Sequence, residues 1–218
     1  MNALQASILR GGIGLAIFAV VTAGLIAVTQ VSTAGRIADA EKHARAKALY
    51  EVVPRQEHDN DMLAAPILLH PDPLLGAKDT TEAYLATFHG SPVAVILPFV
   101  APDGYTGEIQ GIVGVQPDGT VKGVRITAHK ETPGLGDKIE ARKSPWVEQF
   151  PGRSLSSPAE ERWKVKKDGG DFDQMTGATI TPRAVVKAVR NALTYFQSHR
   201  DQLLRSNSGV NTATATQE

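Results

Sequence analysis

An uncharged stretch near the N-terminus limits what this chain can fold into more than any other part of the sequence. Residues 11–35 carry no charged side chain, and their apolar portion reads GGIGLAIFAVVTAGLIAVT. A helix of about 19 to 25 such residues is roughly 28 to 37 Å long, enough to cross a hydrocarbon core of about 30 Å. The stretch therefore predicts one transmembrane helix, within an anchor segment at residues 1–35.

A cleavable secretory signal peptide is the competing interpretation of this stretch. Ser32, Thr33 and Ala34 are small residues at which a signal peptidase could cut. However, the apolar run exceeds the roughly 7 to 15 residues of a signal peptide's hydrophobic region, and Arg10 is the one basic side chain before it. Both observations favour an uncleaved anchor.

The basic residues around the predicted helix leave its orientation open. Arg10 precedes the helix, and four basic residues follow within about 20 positions: Arg36, Lys42, Arg45 and Lys47. This count favours a cytoplasmic C-terminal domain, but long domains often translocate despite such a count.

Composition excludes several kinds of site. Lys plus Arg and Asp plus Glu are both 23, so the net charge is zero and nucleic acid is not an expected partner. The absence of cysteine excludes thiolate metal sites, redox thiols and disulfides. The six histidines are not spaced along the chain as metal ligands usually are, so no metal site is predicted. Any redox chemistry must therefore come from a bound cofactor.

The sequence predicts an α+β fold in which the anchor precedes an antiparallel sheet with flanking helices. Residues 36–88 are interpreted as a stalk helix over 37–53, which Pro54 ends, and an irregular linker with at most a short strand at 67–70. Residues 89–205 are expected to form the folded domain. The remaining tail, 206–218, is small, polar and predicted to be disordered.

Within that domain, three β-like runs are predicted at residues 93–98, 109–115 and 121–127. Pro117-Asp118-Gly119 lies between the second and the third, which predicts a hairpin. Trp146, Val147 and Phe150 indicate a short helix. A long helix is predicted over residues 182–204 from a stripe of apolar residues at helical spacing: Val185, Val186, Val189, Ala192, Leu193 and Phe196.

The stretch DQMTGATITP directly precedes that last helix. Thr181 followed by Pro182 is typical of a helix start, with the threonine as the N-cap. Thr179 would then lie just before a helix N-terminus, where unpaired backbone N–H groups can hold a phosphate. Gly177 and Ala178 would let a ligand approach the backbone closely. By residue type alone, a plain helix-start loop is the favoured explanation of this stretch.

A second candidate is the segment HKETPGLG, residues 129–136, which follows the third predicted strand. Its proline and two glycines predict a tight turn, which would push the apolar side chain of Leu135 outward. Without other information this is a connection between elements. An exposed leucine at this point could, however, form the floor of a site for a flat aromatic ligand.

Several stretches together resemble one family. They are PDGYTGEIQGIVGV at 102–115, DGTVKGVRITAHKETPGLGDKIE at 118–140, WVEQFPGRSL at 146–155 and KKDGGDFDQMTGATITPRAVVKAV at 166–189. They look like the FMN-binding domain shared by the G subunit of the Rnf electron-transport complex and the C subunit of the sodium-pumping NADH:quinone oxidoreductase. The resemblance covers roughly residues 90–200, the anchor is similar too, and the last stretch is closer to the Rnf member.

The resemblance implies a covalently bound FMN. In the family the last threonine of the pattern Asp-x-x-Thr-Gly-Ala-Thr carries FMN through a phosphoester bond, and that position is Thr179 here. The positions that match the recognition pattern of a flavin transferase are Asp173, Thr176, Gly177 and Ala178. Those that match the loop bordering the isoalloxazine ring are Glu131, Thr132, Gly134, Leu135 and Gly136, with Tyr105 also near the flavin.

The resemblance also implies partners and a location. A threonine hydroxyl is a weak nucleophile unaided, so attachment is expected to need a separate flavin transferase. The chain would be a single-pass subunit of the bacterial inner membrane with a periplasmic domain. It would pass electrons to and from other membrane and peripheral subunits of an ion-translocating ferredoxin:NAD+ oxidoreductase, without being catalytic alone. The alternatives are the corresponding subunit of the sodium-pumping enzyme and a flavin-free anchored scaffold.

Overall fold

The computed structural model describes residues 3–205, without the side chains of residues 3–10, 38, 41 and 42. The first element, α1, is a helix over Ala3–Val52. It contains the segment Gly11–Ile37, which has a mean hydropathy of 2.3 and is long and apolar enough to cross a membrane. The predicted apolar helix is therefore present, and the predicted stalk helix is its continuation. The predicted tail at 206–218 lies outside the described residues.

The chain divides into two compact units, of which the first ends at Arg45 and the second begins at Ala46. The second unit contains a five-stranded sheet in which the strands follow one another in chain order and neighbours are antiparallel. Its strands are β1 at Ile67–Leu69, β2 at Thr81–Phe88, β3 at Ser91–Ala101, β4 at Ile109–Val115 and β5 at Val121–Ala128. The fold is α+β with an antiparallel sheet, as predicted.

Four of these strands were predicted and β2 was not. The residues of β2 read TEAYLATF, in which alanine and glutamate are weak strand formers. Ala83 to Ala86 are buried consecutively rather than alternately, so this strand lacks the period-2 pattern. Pairing with β1 on one side and β3 on the other stabilises it. The sheet consequently begins before residue 89, where sequence analysis places the start of the FMN-binding domain.

A second long helix, α2 at Ile180–Arg205, packs against β3 and β4. Every residue of its predicted apolar stripe is buried, from Val185 to Phe196. These side chains share a core with Leu97 and Phe99 of β3 and with Val113 of β4. Full burial of one such side chain contributes about 1.5–3 kcal/mol, so this stripe holds α2 against the sheet.

The C-terminal end of α1 packs in a separate apolar cluster, in which Leu49 and Val52 join Met62, Tyr84 and Ile96. Two glycines that pair across β4 and β5 lie beneath this end of the helix. They are Gly114 and Gly123. A Cβ on Gly114 would overlap Val52 Cγ1, so this close packing requires glycine there. The predicted stalk is therefore, over its last residues, part of the folded unit.

Short 3-10 helices connect β5 to α2, including Gly136–Ile139, Pro145–Gln149 and Lys166–Asp168. The second is the helix predicted around Trp146, and the Ser144 side chain accepts a hydrogen bond from Trp146 N at 3.2 Å. Buried aromatic rings hold this region together, with neighbouring centroids 4.8 to 6.4 Å apart. They belong to Trp146, Phe150, Trp163 and Phe172.

Candidate functional site

The stretch before α2 folds into a tight turn. Ala178 N donates to Met175 O at 3.2 Å, and Gly177 adopts a φ of 82°, which side-chain-bearing residues rarely take. Met175 is buried and anchors the turn from below, whereas Thr176 is exposed. The turn thus presents a polar, sterically open surface directly before the helix.

The acidic residue in front of this turn is fixed by its backbone rather than by its carboxylate. Asp173 O accepts from Trp146 Nε1 at 2.7 Å, and Asp173 N donates to Gln149 Oε1 at 2.6 Å. The carboxylate pairs with Lys166 at 2.5 Å and is 60% exposed. Asp173 is therefore held in position by the aromatic region while its side chain stays accessible from outside.

The prediction that Thr181 caps the helix is wrong. α2 begins at Ile180, so Thr181 lies inside its first turn, and the Thr181 hydroxyl donates to Glu131 Oε2 at 2.5 Å. An N-cap residue lies outside the helix, so a residue within the first turn does not occupy the N-cap position. Pro182 still falls in the first turn, where its missing N–H leaves no intrahelical bond unmade. Thr179 is the residue directly before the helix.

The three threonines of this stretch therefore differ in availability. Thr181 is fully buried and its hydroxyl donates its hydrogen bond to Glu131. Thr179 is partly buried and Thr176 is exposed. Neither of these two hydroxyls makes a hydrogen bond to another residue within the part of the chain that the structure describes.

The loop after β5 is a compact turn closed on Thr132. Leu135 N and Gly136 N both donate to Thr132 O at 3.1 Å, and Gly134 has a φ of 77°. Leu135 remains 42% exposed, which confirms the prediction that the turn pushes this side chain outward. The loop thus presents one apolar side chain beside two glycines.

Tyr105 lies on the loop between β3 and β4 and is 68% exposed. The residue after it ties this loop to the one after β5. Thr106 N donates to Glu131 Oε1 at 3.1 Å, and the Thr106 hydroxyl donates to Lys130 O at 2.5 Å. An ion pair of 2.7 Å between Asp103 and Lys187 ties the same loop to α2.

Glu131 is the residue that brings these segments together. It is 4% exposed, and its two carboxylate oxygens accept from Thr106 and Thr181. Thr106 directly follows Tyr105 in the sequence, and Thr181 is two residues after Thr179. The loop with Tyr105, the loop with Leu135 and the start of α2 are therefore joined at one carboxylate. Asp173, in contrast, is attached to Trp146 and Gln149.

Sequence reasoning missed two groups of residues in this arrangement: Thr106 and Thr181 as partners of Glu131, and Trp146 and Gln149 as anchors of Asp173. The partners of Glu131 lie 25 and 50 residues away from it in the chain. Local spacing carries no signal for such pairings, because it reports only neighbours along one element.

A charged network borders the loop after β5. Lys143 Nζ lies 3.0 Å from Asp137 and 2.6 Å from Glu140. Hydrogen bonding to Lys143 lowers the pKa of both carboxyls, and the same bonds raise the pKa of Lys143. His129 Nδ1 accepts from Glu131 N at 3.0 Å, so the ring proton lies on Nε2, which donates to Glu140 at 2.9 Å. The network fixes the backbone at Glu131.

Two known families match this chain. Residues 104–194, which include Tyr105, the loop after β5 and the turn before α2, match the family of FMN-binding domains. Residues 1–52 match the RnfG N-terminal region.

Curated relatives match over nearly the full length. A protein of Pseudomonas aeruginosa (strain UCBPP-PA14) is 52% identical over 202 residues, which are 93% of this chain and 94% of the relative. One of Vibrio cholerae serotype O1 (strain M66-2) is 49% identical over 90% of this chain and 94% of the relative. One of Shewanella baltica (strain OS223) is 48% identical over 89% of this chain and 92% of the relative. Each of these relatives is named as the G subunit of an ion-translocating oxidoreductase complex.

Proposed function

Because this chain belongs to the family of G subunits of ion-translocating oxidoreductase complexes, we propose that its FMN is joined to Thr179 by a phosphoester bond and passes electrons between other subunits of the complex. The chain is a membrane-anchored flavoprotein subunit, with one apolar N-terminal helix and an FMN-binding domain. The relatives favour the Rnf-type complex over the sodium-pumping NADH:quinone oxidoreductase.

The observation that carries the attachment at Thr179 is the difference between the threonines. No residue that the structure describes forms a hydrogen bond with the Thr179 hydroxyl, which lies directly before α2, whereas the hydroxyl of Thr181 is buried and bonded to Glu131. The first turn of a helix has backbone N–H groups without intrahelical partners and carries a partial positive charge. A phosphate on Thr179 would be stabilised there without a basic side chain.

The surroundings also fit the flat ring system of FMN. Leu135 and Ile180 expose 42% and 45% of their surface, and Tyr105 exposes 68%. All three lie on segments that Glu131 joins. Covering exposed apolar surface with an aromatic ring contributes about 25 cal/mol per Å² removed from water. We therefore propose that these three side chains, together with Thr132, Gly134 and Gly136, border the ring.

Bound FMN would supply the redox chemistry, accepting electrons and giving them up, which no side chain of this chain provides. The protein holds the phosphate end at the helix start and shields the ring with Leu135 and Tyr105. Such a subunit needs its neighbours in the complex to turn over, so we propose that it is not catalytic alone.

Attachment is proposed to need a flavin transferase. A threonine hydroxyl is a poor nucleophile without a base, and in the described part of the chain none is bonded to Thr179. In the surface that such an enzyme would recognise, the Asp173 carboxylate, Thr176 and Gly177 are exposed and Ala178 is half-buried. The backbone of Asp173 is held by Trp146, which keeps this surface in one conformation.

We propose that the domain faces the periplasm from the bacterial inner membrane. The basic residues after the helix favour the opposite side, but a folded unit this long can override that count. The chain has no cysteine, so a single exposed cysteine at Ser198 reports the side directly. Labelling of Ser198→Cys by an impermeant maleimide in intact spheroplasts is expected, and labelling only after lysis would place the domain in the cytoplasm.

The attachment itself is tested by flavin fluorescence on a denaturing gel, with the transferase co-produced. Wild type and Thr127→Ala, which changes an exposed threonine on β5, should both fluoresce. Thr179→Ala should be dark. Fluorescence that persists in Thr179→Ala would place the bond on another residue, and a dark wild type would exclude a covalent flavin.

A further inference from the structure

Glu131 is a buried carboxylate held by hydrogen bonds. It is 4% exposed, and among the side chains that the structure describes it forms no ion pair with lysine, arginine or histidine. A buried charge is costly unless hydrogen bonds compensate it. At Glu131 the compensation comes from Thr106 N on Oε1, at 3.1 Å, and from the Thr181 hydroxyl on Oε2, at 2.5 Å.

We propose that Glu131 and Thr181 form a positioning pair for the flavin, an inference that rests on the proposed attachment at Thr179. Thr181 is two residues after the attachment point, and Glu131 begins the loop that carries Leu135. The bond between them fixes the start of α2 against that loop. It therefore holds the two ends of the flavin site, phosphate and ring, in one arrangement.

The packing around the pair leaves it little freedom. A Cβ on Gly136 would lie 2.8 Å from Glu131 Oε2 and 2.9 Å from Thr181 Oγ, so the loop backbone passes directly over the bond. A Cβ on Gly104 would lie 3.1 Å from Glu131 Oε1. The backbone of Glu131 is held in addition by His129 Nδ1, at 3.0 Å. The pair is enclosed by glycine positions on two loops.

The bond is also charge-assisted, since a hydroxyl donates to a carboxylate. Replacing Thr181 by valine keeps the shape of the side chain and removes the donor, which leaves Glu131 Oε2 buried and unsatisfied. Replacing it by serine keeps the donor. If the pair positions the flavin, valine should release the Leu135 loop from the helix start and serine should not.

A matched control exists on the same turn of the same helix. Arg183 pairs with Asp168 through two bonds of 2.6 Å, which attach the first turn of α2 to a different segment. Arg183→Ala therefore removes an attachment of α2 without touching Glu131. This variant shows how far the loss of one attachment of α2 changes the flavin when the bond between Glu131 and Thr181 is intact.

The test uses the full chain with its attached flavin, and measures flavin anisotropy, quenching by iodide and thermal unfolding of each variant. Thr181→Val is expected to lower the anisotropy and raise the quenching constant of the attached flavin. Thr181→Ser and Arg183→Ala should keep both at the wild-type values, although Arg183→Ala should unfold at a lower temperature.

Wild-type anisotropy and quenching in Thr181→Val would overturn the inference, as would an equal change in Arg183→Ala. If Thr181→Val does not fold, Thr181→Ala takes its place under the same criteria, because alanine also removes the hydroxyl donor and places less bulk beside the Glu131 carboxylate. The mass of denatured wild type is read first. A wild type without flavin refutes the attachment at Thr179, whereas a flavin equally rigid in all variants refutes the positioning pair alone.

Discussion

Leu135 and Gly177 touch, although they lie on two loops that are far apart in the chain. A Cβ on Gly177 would be 2.9 Å from Leu135 Cδ2. The side chain that borders the proposed ring site therefore rests directly on the turn that precedes Thr179. This contact joins the two sequence motifs that the family resemblance identified separately.

Replacing Gly177 by alanine should disturb both the turn and its neighbour. The φ of 82° at this position strains any residue with a Cβ, by about 1–2 kcal/mol, and the new methyl group would press on Leu135. We expect a lower unfolding temperature and a more exposed flavin. Gly119→Ala is the control, because Gly119 has a φ of 89° and open space around it. Equal flavin exposure in both variants would contradict the contact.

Trp146 should matter for flavin attachment through Asp173. Trp146→Phe removes the bond from Nε1 to Asp173 O and should cost about 1 kcal/mol of stability. It should also lower the fraction of chains that acquire FMN, measured by intact mass. Trp163→Phe is the control, since it removes a similar bond, from Nε1 to Ser154 O, in the same aromatic region. Equal flavin loading in the two variants would show that the bond from Trp146 to Asp173 does not affect attachment.

The end of α1 should depend on the glycine beneath it. Gly114→Ala places a methyl group inside the contact distance of Val52 Cγ1 and should destabilise the folded unit by about 1–3 kcal/mol. Gly123→Ala should be tolerated better, because the nearest atom of Val52 lies 3.6 Å away. Adding Val52→Ala should recover part of the loss in Gly114→Ala, as measured by thermal unfolding. No recovery would show that the clash lies elsewhere.

The network around Lys143 should make stability depend on pH. The pKa values of Asp137 and Glu140 are lowered on folding by hydrogen bonds from Lys143. Their contribution is thus present above the ordinary values of 3.8 and 4.5 and is lost as the pH falls through the lower folded values. The pKa of Lys143 is raised, so its contribution is lost only as the pH rises above 10.5.

Lys143→Met removes the common partner of these two carboxyls. The stability difference between wild type and this variant should therefore be largest between about pH 5 and 10 and should shrink on acidification. Urea unfolding across the pH range measures it. A difference that stays constant down to about pH 3 would show that Lys143 acts through packing and not through charge.

Local patterns in the sequence predicted the elements whose stability is local. The stripe from Val185 to Phe196 was predicted from helical periodicity, and the turn at Gly119 from the backbone preference of glycine. Both are found in the structure. β2 escaped prediction because its pairing with β1 and β3, rather than its own composition, makes it a strand. Long-range pairing is what a single sequence does not display.

The candidate site likewise has features that the sequence predicts and features that depend on long-range contacts. Family resemblance predicts the roles of Thr179 and the two loops, and the observed exposure of Leu135 was predicted from turn chemistry. The role of Thr181 was predicted wrongly, because the capping pattern is local whereas its actual partner, Glu131, lies 50 residues earlier. Which of several threonine hydroxyls is available depends on that distant carboxylate.

The central claim is the bond between Thr179 and FMN, and the most direct measurement is the mass of one peptide. Trypsin cutting after Lys167 and Arg183 releases residues 168–183, which contain Thr176, Thr179 and Thr181. Isolated from native membranes, this peptide should carry the mass of FMN less one water, and fragmentation should place it on Thr179. A peptide with the mass of its amino acids alone, or with the flavin on Thr176 or Thr181, would contradict the proposal.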